Sequence, residues 1–529
     1  MKKWFLAFLN TKNKNSYYLA FANVFLVLFL IIFSNLKLIP LSLGNFIFFT
    51  LLVLAFTLYR PGWVFLFFIG SIALENINLA PVNLNLLIRP YQFFGGLLFL
   101  ALFIRYISRR INLKLPKFSW QDFLIFIIPL AAFLQLTISP NKAAGLKLII
   151  VLFSFCILYL LTKVYIQDIY DLKKILPYIF GSSIVIIFYG FWQNLRFANG
   201  LASFEVMPGR PNSTLMEADW FGLYLLLLLS ASYALIFYLT KKSSSIKKLI
   251  LTYVYLFFVF IALIISVSRS AWLGAIATTI LFLFYVFTGF KINIKNWQWK
   301  LITKIKPSIL FVFILSLGAV YFFNLTSFQL FNRAKSTATG LQKITISCEK
   351  EVELPDKINK IEELAIINCR HINLEEIDSE KASNKFIAEI YRTDPNVNVR
   401  SEIYKKAWSE IKIHPLIGVG FENVAIILGQ DGRGASLNSS NIFLEIWLGS
   451  GILGFLAFVY FLIYLFLKAV RNIWLRDELE ERVLGLFVLI SGFGIIVFNL
   501  FNAGIMLGIF WVWLGIANSI KTEKYENRN

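Results

Sequence analysis

Three short stretches hold polar groups that helix packing alone does not require. In ISVSRSAWLG, Arg269 interrupts an apolar run from Leu249 to Gly289, so the Ser268-Arg269-Ser270 step must be a tight turn between two spans. A guanidinium at a span end can snorkel to the interface. One facing the interior of a bundle is more often functional. In RSEIYKKAWSEIKIHPLIGVG, Arg400 opens an amphipathic segment. In GRPNSTLMEADWFGLYL, Arg210, Asn212, Glu217 and Asp219 precede the apolar run that begins at Trp220. There Asp219 suits a helix cap and Trp220 an interface anchor as well as either suits a ligand site. Arginine donates paired hydrogen bonds from a planar fork, which fits phosphate. A charge pair about 4 Å apart in an effective dielectric of roughly 20 attracts by about 4 kcal/mol before desolvation. Guanidinium groups gathered on one side of a bilayer could therefore bind a lipid-linked diphosphate and stabilise it as it leaves.

The elements that must position these groups are membrane spans. Of 529 residues, 58% are hydrophobic and 15% charged, whereas soluble domains carry about 25% charged residues. Apolar runs long enough to cross a bilayer alternate with short polar pieces, which predicts an all-α integral membrane protein rather than an alternating barrel. About fourteen spans are expected, near 17–34, 44–59, 61–76, 91–108, 122–138, 145–164, 176–194, 220–239, 249–267, 270–289, 307–324, 441–467, 483–501 and 503–520. The shortest is 61–76, and the closing pair is split only by Phe501 to Gly504. The start lacks a small-residue cleavage site, so Tyr17 to Ser34 reads as a retained first span.

The net charge of +21 does not point to nucleic acid, because the basic residues sit in clusters between apolar runs, where topology determinants lie. With the N-terminus inside, the inner segments hold 29 lysines and arginines and the short outer segments 7, with 15 more on one long outer loop. Long loops are largely exempt from the positive-inside rule. The pattern predicts both termini on the cytoplasmic side of the inner membrane. It divides the chain into a bundle of about eleven helices (1–324), an extracytoplasmic loop (325–440) and about three closing helices with a cytoplasmic tail (441–529).

Within the loop, 334–398 reads as a polar insertion, with KITIS, LAIIN and KFIAEIY as short strands or helices. Cys348 and Cys369 in this insertion suggest a disulfide on the oxidising side of the membrane. Cys156 lies in a span and reads as a small packed residue. An amphipathic helix is expected over 399–413, with Ile403, Tyr404, Ala407, Trp408 and Ile411 on one face that could lie flat on the outer surface. His414, before Pro415, reads as a turn residue more readily than a base. No glycine-rich phosphate loop and no Cys/His metal spacing occur in the sequence. No cofactor is expected.

On SVSRSAWLG, on R-x3-Y-x2-A followed by IHPLIGVGFENV, and on SNIFLEIWLGSGILG, the sequence resembles the bacterial O-antigen ligase and polymerase superfamily. The likeness spans about Trp220 to Tyr464. It implies transfer of a glycan from an undecaprenyl-diphosphate carrier to a lipid, wall-polymer or protein acceptor at the outer face of the membrane, without metal or nucleotide. It implies that Arg269 and Arg400 are ligands of the diphosphate. Arg210, Glu217, Asp219, Asn441 and His414 are the residues expected around the substrate. In ligases a His-Asn-x-x-Leu motif precedes the last large span, and its histidine is the proposed base. Here Ser440-Asn441-Ile442-Phe443-Leu444 stands in that place, and a serine hydroxyl is no competent base near neutral pH without help. Glu445 is the nearest carboxylate, but Glu217 and Asp219 rank slightly above it as the base. Polymerisation of repeat units is the alternative within this class. A lipid-linked-oligosaccharide flippase, other transporter or a scaffold is the alternative outside it. The absence of an internal repeat and the gathering of polar residues at one face weigh against a transporter.

Overall fold

The computed structural model describes residues 15–519, apart from 85, 111–117, 208, 244, 292–293, 327–340, 360, 373–376, 394 and 430–436. The expected inner tails, 1–14 and 520–529, and the start of the expected insertion therefore lie outside the described residues. Helices α1 (Asn15–Asn35) to α11 (Trp299–Phe322) form the larger part of one bundle, and α15 (Ile442–Leu475), α16 (Leu479–Asn499) and α17 (Gly508–Asn518) complete it. Ten helices are long and apolar enough to cross a membrane by length and composition. The outward side chains of these helices include Phe21, Phe103, Ile150, Leu251, Ile280 and Phe311, an apolar coat suited to lipid contact.

At the centre stands α8 (Ala218–Lys241), whose most apolar window is 83% buried. It packs against α9 (Ile246–Ile265), α10 (Arg269–Thr288) and α16. Small residues permit this approach: a side chain on Gly222 would meet Ala271 and Ser268, and one on Gly274 would meet the Gly494 carbonyl.

Two expected spans are half-length. Helix α3 (Pro61–Gly70) has 10 residues and α17 has 11, so each rises only about 15 Å, half of a hydrocarbon core. The chain that follows α3 and the chain that precedes α17 are largely buried but not α-helical. Glu75 accounts for their meeting. It is fully buried, pairs with Arg89 at 2.5 Å, and accepts hydrogen bonds from the Tyr91 hydroxyl at 2.9 Å and the Gly508 N–H at 3.0 Å. The first N–H of α17 is thus satisfied by a carboxylate, which also suits the positive end of a helix. The segment after α3 in turn holds the approach to α8: the Asn76 N–H donates to the Thr214 carbonyl at 2.9 Å, and the Thr214 hydroxyl donates to the Ala73 carbonyl at 2.8 Å.

The all-α expectation holds for the bundle but not for the insertion. There β1 (Leu341–Cys348), β2 (Lys357–Ile358), β3 (Cys369–His371) and β4 (Phe386–Thr393) form a sheet of order β2-β4-β1-β3. KITIS lies in β1 and KFIAEIY enters β4, while LAIIN falls in a 3-10 turn over Ile361–Ile367. Ile344, Ile346, Ile358, Leu364 and Ile390 form a core separate from that of the bundle. Cys348 and Cys369 face each other across β1 and β3 and are joined as a disulfide. Closing a loop of this length stabilises a small unit by about 3 kcal/mol. Reduction is accordingly expected to make the sheet region the first site of limited proteolysis in the otherwise intact protein. An unchanged digestion pattern would show that the sheet does not depend on the bridge.

Helix α13 (Pro395–Ile413), which follows the short α12 (Ile377–Ala382), starts a few residues before the expected amphipathic helix. Its apolar face does not lie open to a membrane surface. Ile403, Ala407 and Ile411 are buried with Val419, Val424, Leu428 and Leu448, between α14 (Phe421–Leu428) and α15. The reason is a break in α15 at Gly451, whose φ of 65° and ψ of −170° no other residue adopts comfortably. Such a break frees the Leu448 carbonyl and the Ile452 N–H from their mutual bond. The turn after α13 satisfies both: the Val419 N–H donates to the Leu448 carbonyl at 2.7 Å, and the Ile452 N–H donates to the Pro415 carbonyl at 3.1 Å. Tertiary pairing of backbone groups thus draws α13 onto α15, and the apolar face follows.

Candidate functional site

Arg400 and Tyr404 lie one turn apart on α13, so they share a face. Both reach the chain just beyond the end of α16. Arg400 Nη2 donates to the Phe501 carbonyl at 3.4 Å, and its guanidinium stands 5.7 Å from the centre of the Phe501 ring. The Tyr404 hydroxyl lies 2.9 Å from the Leu500 carbonyl and 3.2 Å from the Ser440 carbonyl. Burial raises the Tyr404 pKa, so the phenol is a neutral donor at physiological pH. Asn441 completes the junction. Its Oδ1 caps α15 by accepting from the N–H groups of Phe443 and Leu444 at 2.9 and 3.2 Å, and its Nδ2 donates to the Leu500 carbonyl at 3.2 Å. Ser440, with φ of 50°, is half-buried beside it, and its N–H donates to Asn438 Oδ1 at 2.8 Å. Glu445 lies beneath this loop, 9% exposed, and accepts the Ser439 N–H at 2.9 Å. Its carboxylate therefore orients the loop that carries Ser440.

The second cluster surrounds Asp219. Glu217 occupies the cap position of α8, without a side-chain cap bond, and is exposed. Asp219, in the first turn, instead accepts from the Ser268 hydroxyl at 2.5 Å and from Arg210 Nη2 at 3.3 Å. The cap reading of Asp219 gives way for that reason. Arg210 also bonds the Ser266 carbonyl at 3.4 Å, so it clamps the start of α8 to the turn before α10. Asn212 is fully buried and holds that approach by donating to the Leu215 carbonyl at 2.6 Å. Arg269 is the first residue of α10, beside Ser268, which caps the helix. It is half-buried. The turn is tight, as its sequence requires: Val267 has φ of 50°, and Trp272 Nε1 closes the turn on the Leu263 carbonyl at 2.8 Å.

The two clusters adjoin through aromatic rings. Trp220, next to Asp219, packs on Phe498 at 5.9 Å between ring centres. The Phe501 N–H then donates to the Phe498 carbonyl at 3.2 Å, which places the ring under Arg400 one turn farther on. A small cavity lined by Ile442, Phe458, Ile495, Asn499 and Trp513 lies beneath Asn441. His414 is not part of this gathering. It is exposed beyond the far end of α13, roughly 20 Å along the helix from Arg400. Its backbone closes the turn, accepting the Gly418 N–H at 3.0 Å.

The sequence marks Ser268 only as part of a tight turn and Tyr404 only by its place on the apolar face and in the R-x3-Y spacing, and it gives Leu500 and Phe501 no site role. That shared helical face was the available signal. No group of three or more His, Cys, Asp and Glu that would suit a metal occurs among the described residues. If Tyr404 holds the junction, Tyr404→Phe should lower the midpoint of thermal unfolding by about a degree, through loss of about 1 kcal/mol of hydrogen bonding. An unchanged midpoint would mean that the hydroxyl finds no net gain over water.

Ten apolar helices of spanning length, with charged groups drawn into buried clusters, define a multi-pass membrane protein that is all-α in its bundle. Residues 254–459 match the family model described as O-antigen ligase. That segment of the membrane protein is thus similar to an O-antigen ligase domain, and the match supports the O-antigen ligase superfamily. Arg269, Arg400, Ser440 and Glu445 fall inside the matched segment, whereas Arg210, Glu217 and Asp219 precede it. No curated protein matches the chain.

Proposed function

We propose that the protein transfers a glycan from an undecaprenyl-diphosphate carrier to an acceptor hydroxyl at the extracytoplasmic face of the inner membrane. The observation that carries this reading is the convergence on Leu500–Phe501. Arg400 and Tyr404 of α13 and Asn441 of α15 bond this short segment together. The ring of Trp220 brings the Asp219–Arg210–Ser268 cluster to its other side. The donor's diphosphate binds Arg269 and Arg400. The acceptor oxygen attacks the anomeric carbon, the bond to the diphosphate breaks, and the guanidinium groups neutralise the leaving charge. A single displacement inverts the anomeric configuration.

The proton of the acceptor passes to a carboxylate. Asp219 has the better placement, since it is part-exposed and held between a hydroxyl and a guanidinium, and Glu217 stands exposed two residues before it. Glu445 is committed to the Ser439 N–H. Ser440 lines the site and orients the acceptor rather than deprotonating it. Purified full-length protein incubated with lipid-linked oligosaccharide and candidate acceptors should release the lipid diphosphate and yield a glycosylated acceptor, seen by mass. An elongated lipid-linked chain would assign polymerisation instead, and no product with any acceptor would remove the transferase reading.

A further inference from the structure

We propose that the end of the bundle remote from this site holds an anionic phosphate group, where the C-terminal ends of α8 and α10 meet the start of α16. Lys241 is the last residue of α8, Lys291 follows α10, and Arg482 lies in the first turn of α16. Lys241 feels the charges of both Lys291 and Arg482. Three like charges drawn together repel one another unless an anion answers them. Of the carboxylates beside them, Glu480 is taken by Lys173 and Lys242 and Glu481 by Arg476. Among the described residues no ion pair forms on Lys241, Lys291 or Arg482.

A second observation points to a ligand. The Tyr285 hydroxyl is fully buried beside Arg482, yet neither that hydroxyl nor Arg482 Nε has a hydrogen-bond partner of good geometry. Unsatisfied buried donors are uncommon and mark an unfilled requirement. The Tyr285 ring is wedged between Phe237 and Phe290, with ring centres 5.3 and 5.1 Å away, so the hydroxyl cannot swing out to water. Lys241 and Lys291 are exposed and Arg482 half-buried. Two exposed ammonium groups over one half-buried guanidinium would close on a phosphate as point charges and a fork. The phosphate belongs either to the headgroup of an anionic lipid or to a soluble phosphate, and both present the same oxygens. Basic pockets between helix ends are known to take such headgroups.

The test uses the full-length protein in detergent micelles, washed after exposure to phosphatidylglycerol or phosphatidylcholine, with retained lipid read by native mass spectrometry. Inorganic phosphate is tested separately by thermal shift. Three proteins are compared: wild type, Lys241→Gln/Lys291→Gln, and the same pair with Arg482→Gln. A lipid source predicts that wild type retains phosphatidylglycerol over phosphatidylcholine, with affinity falling about fivefold per charge removed. A soluble source predicts no lipid preference but stabilisation by inorganic phosphate, weakened in the same order. The double variant changes only exposed side chains, so it answers the question even if loss of Arg482 disturbs folding. Equal response of wild type and double variant to both lipid and inorganic phosphate, or no response to either probe, would overturn the site. Glycan transfer does not enter the readout, so this outcome is independent of the assignment above.

Discussion

Replacing Arg400 with alanine is expected to abolish glycan transfer while leaving the protein expressed and membrane-inserted, and Arg269→Ala is expected to do the same. The size of the effect follows from charge. The leaving diphosphate develops its negative charge in the transition state, and removing one fixed donor from such a site typically costs about 100- to 1000-fold in rate. Two guanidinium groups on one leaving group share the load, so either loss is severe and the double loss is less than multiplicative. Stability should move little. Arg400 is half-buried and its bond to the Phe501 carbonyl is long at 3.4 Å. Lysine keeps the charge but not the fork, so Arg400→Lys should recover part of the rate, chiefly through kcat. The measurement is conversion of lipid-linked glycan by purified protein, normalised to folded protein by gel filtration. Normal transfer by both alanine variants would remove the arginines from the mechanism.

The largest loss of stability is expected from Glu75→Ala. This carboxylate is fully buried and answers Arg89, Tyr91 and the first N–H of α17. Its removal leaves the Arg89 charge, only 13% exposed, without a counter-charge, the backbone carbonyl at position 75 being its remaining acceptor. Breaking a buried pair from one side typically costs about 3–5 kcal/mol. Thermal unfolding in detergent should therefore fall by several degrees, well beyond the effect expected for Tyr404→Phe. Removing both partners by Glu75→Ala/Arg89→Ala should cost less than the sum of the single changes, since the orphaned charge goes too. Transfer should also drop in the single variant, because the Ala73–Asn76 segment bonds Thr214 on the approach to Asp219. An unchanged unfolding midpoint would show that water reaches Arg89 and that the pair is not the tie between α3 and α17.

Much of the molecule could be read from local pattern. The apolar runs define the helices, since a spanning segment satisfies its backbone bonds within itself. The period of Ile403, Ala407 and Ile411 gives α13 and its buried face. The cap at Asn441 and the tight turn at Arg269 are also local, set by a few adjacent residues. What covers the face of α13 was decided elsewhere. The break at Gly451 opens two backbone groups that the turn at Pro415–Gly420 satisfies, and that pairing joins Val419 to Leu448 and Ile452 to Pro415 across the intervening α14. The half-length helices α3 and α17 are tied through Glu75, which accepts the Gly508 N–H from 433 residues away. Asp219 likewise exchanged a capping role for Ser268, 49 residues away. Sequence by itself determined where backbone hydrogen bonds close within a segment and which residues are too polar to be packing alone. Tertiary structure decided which distant polar group each of them answers, because burial forbids an unpaired charge but does not say where in the chain its partner must lie.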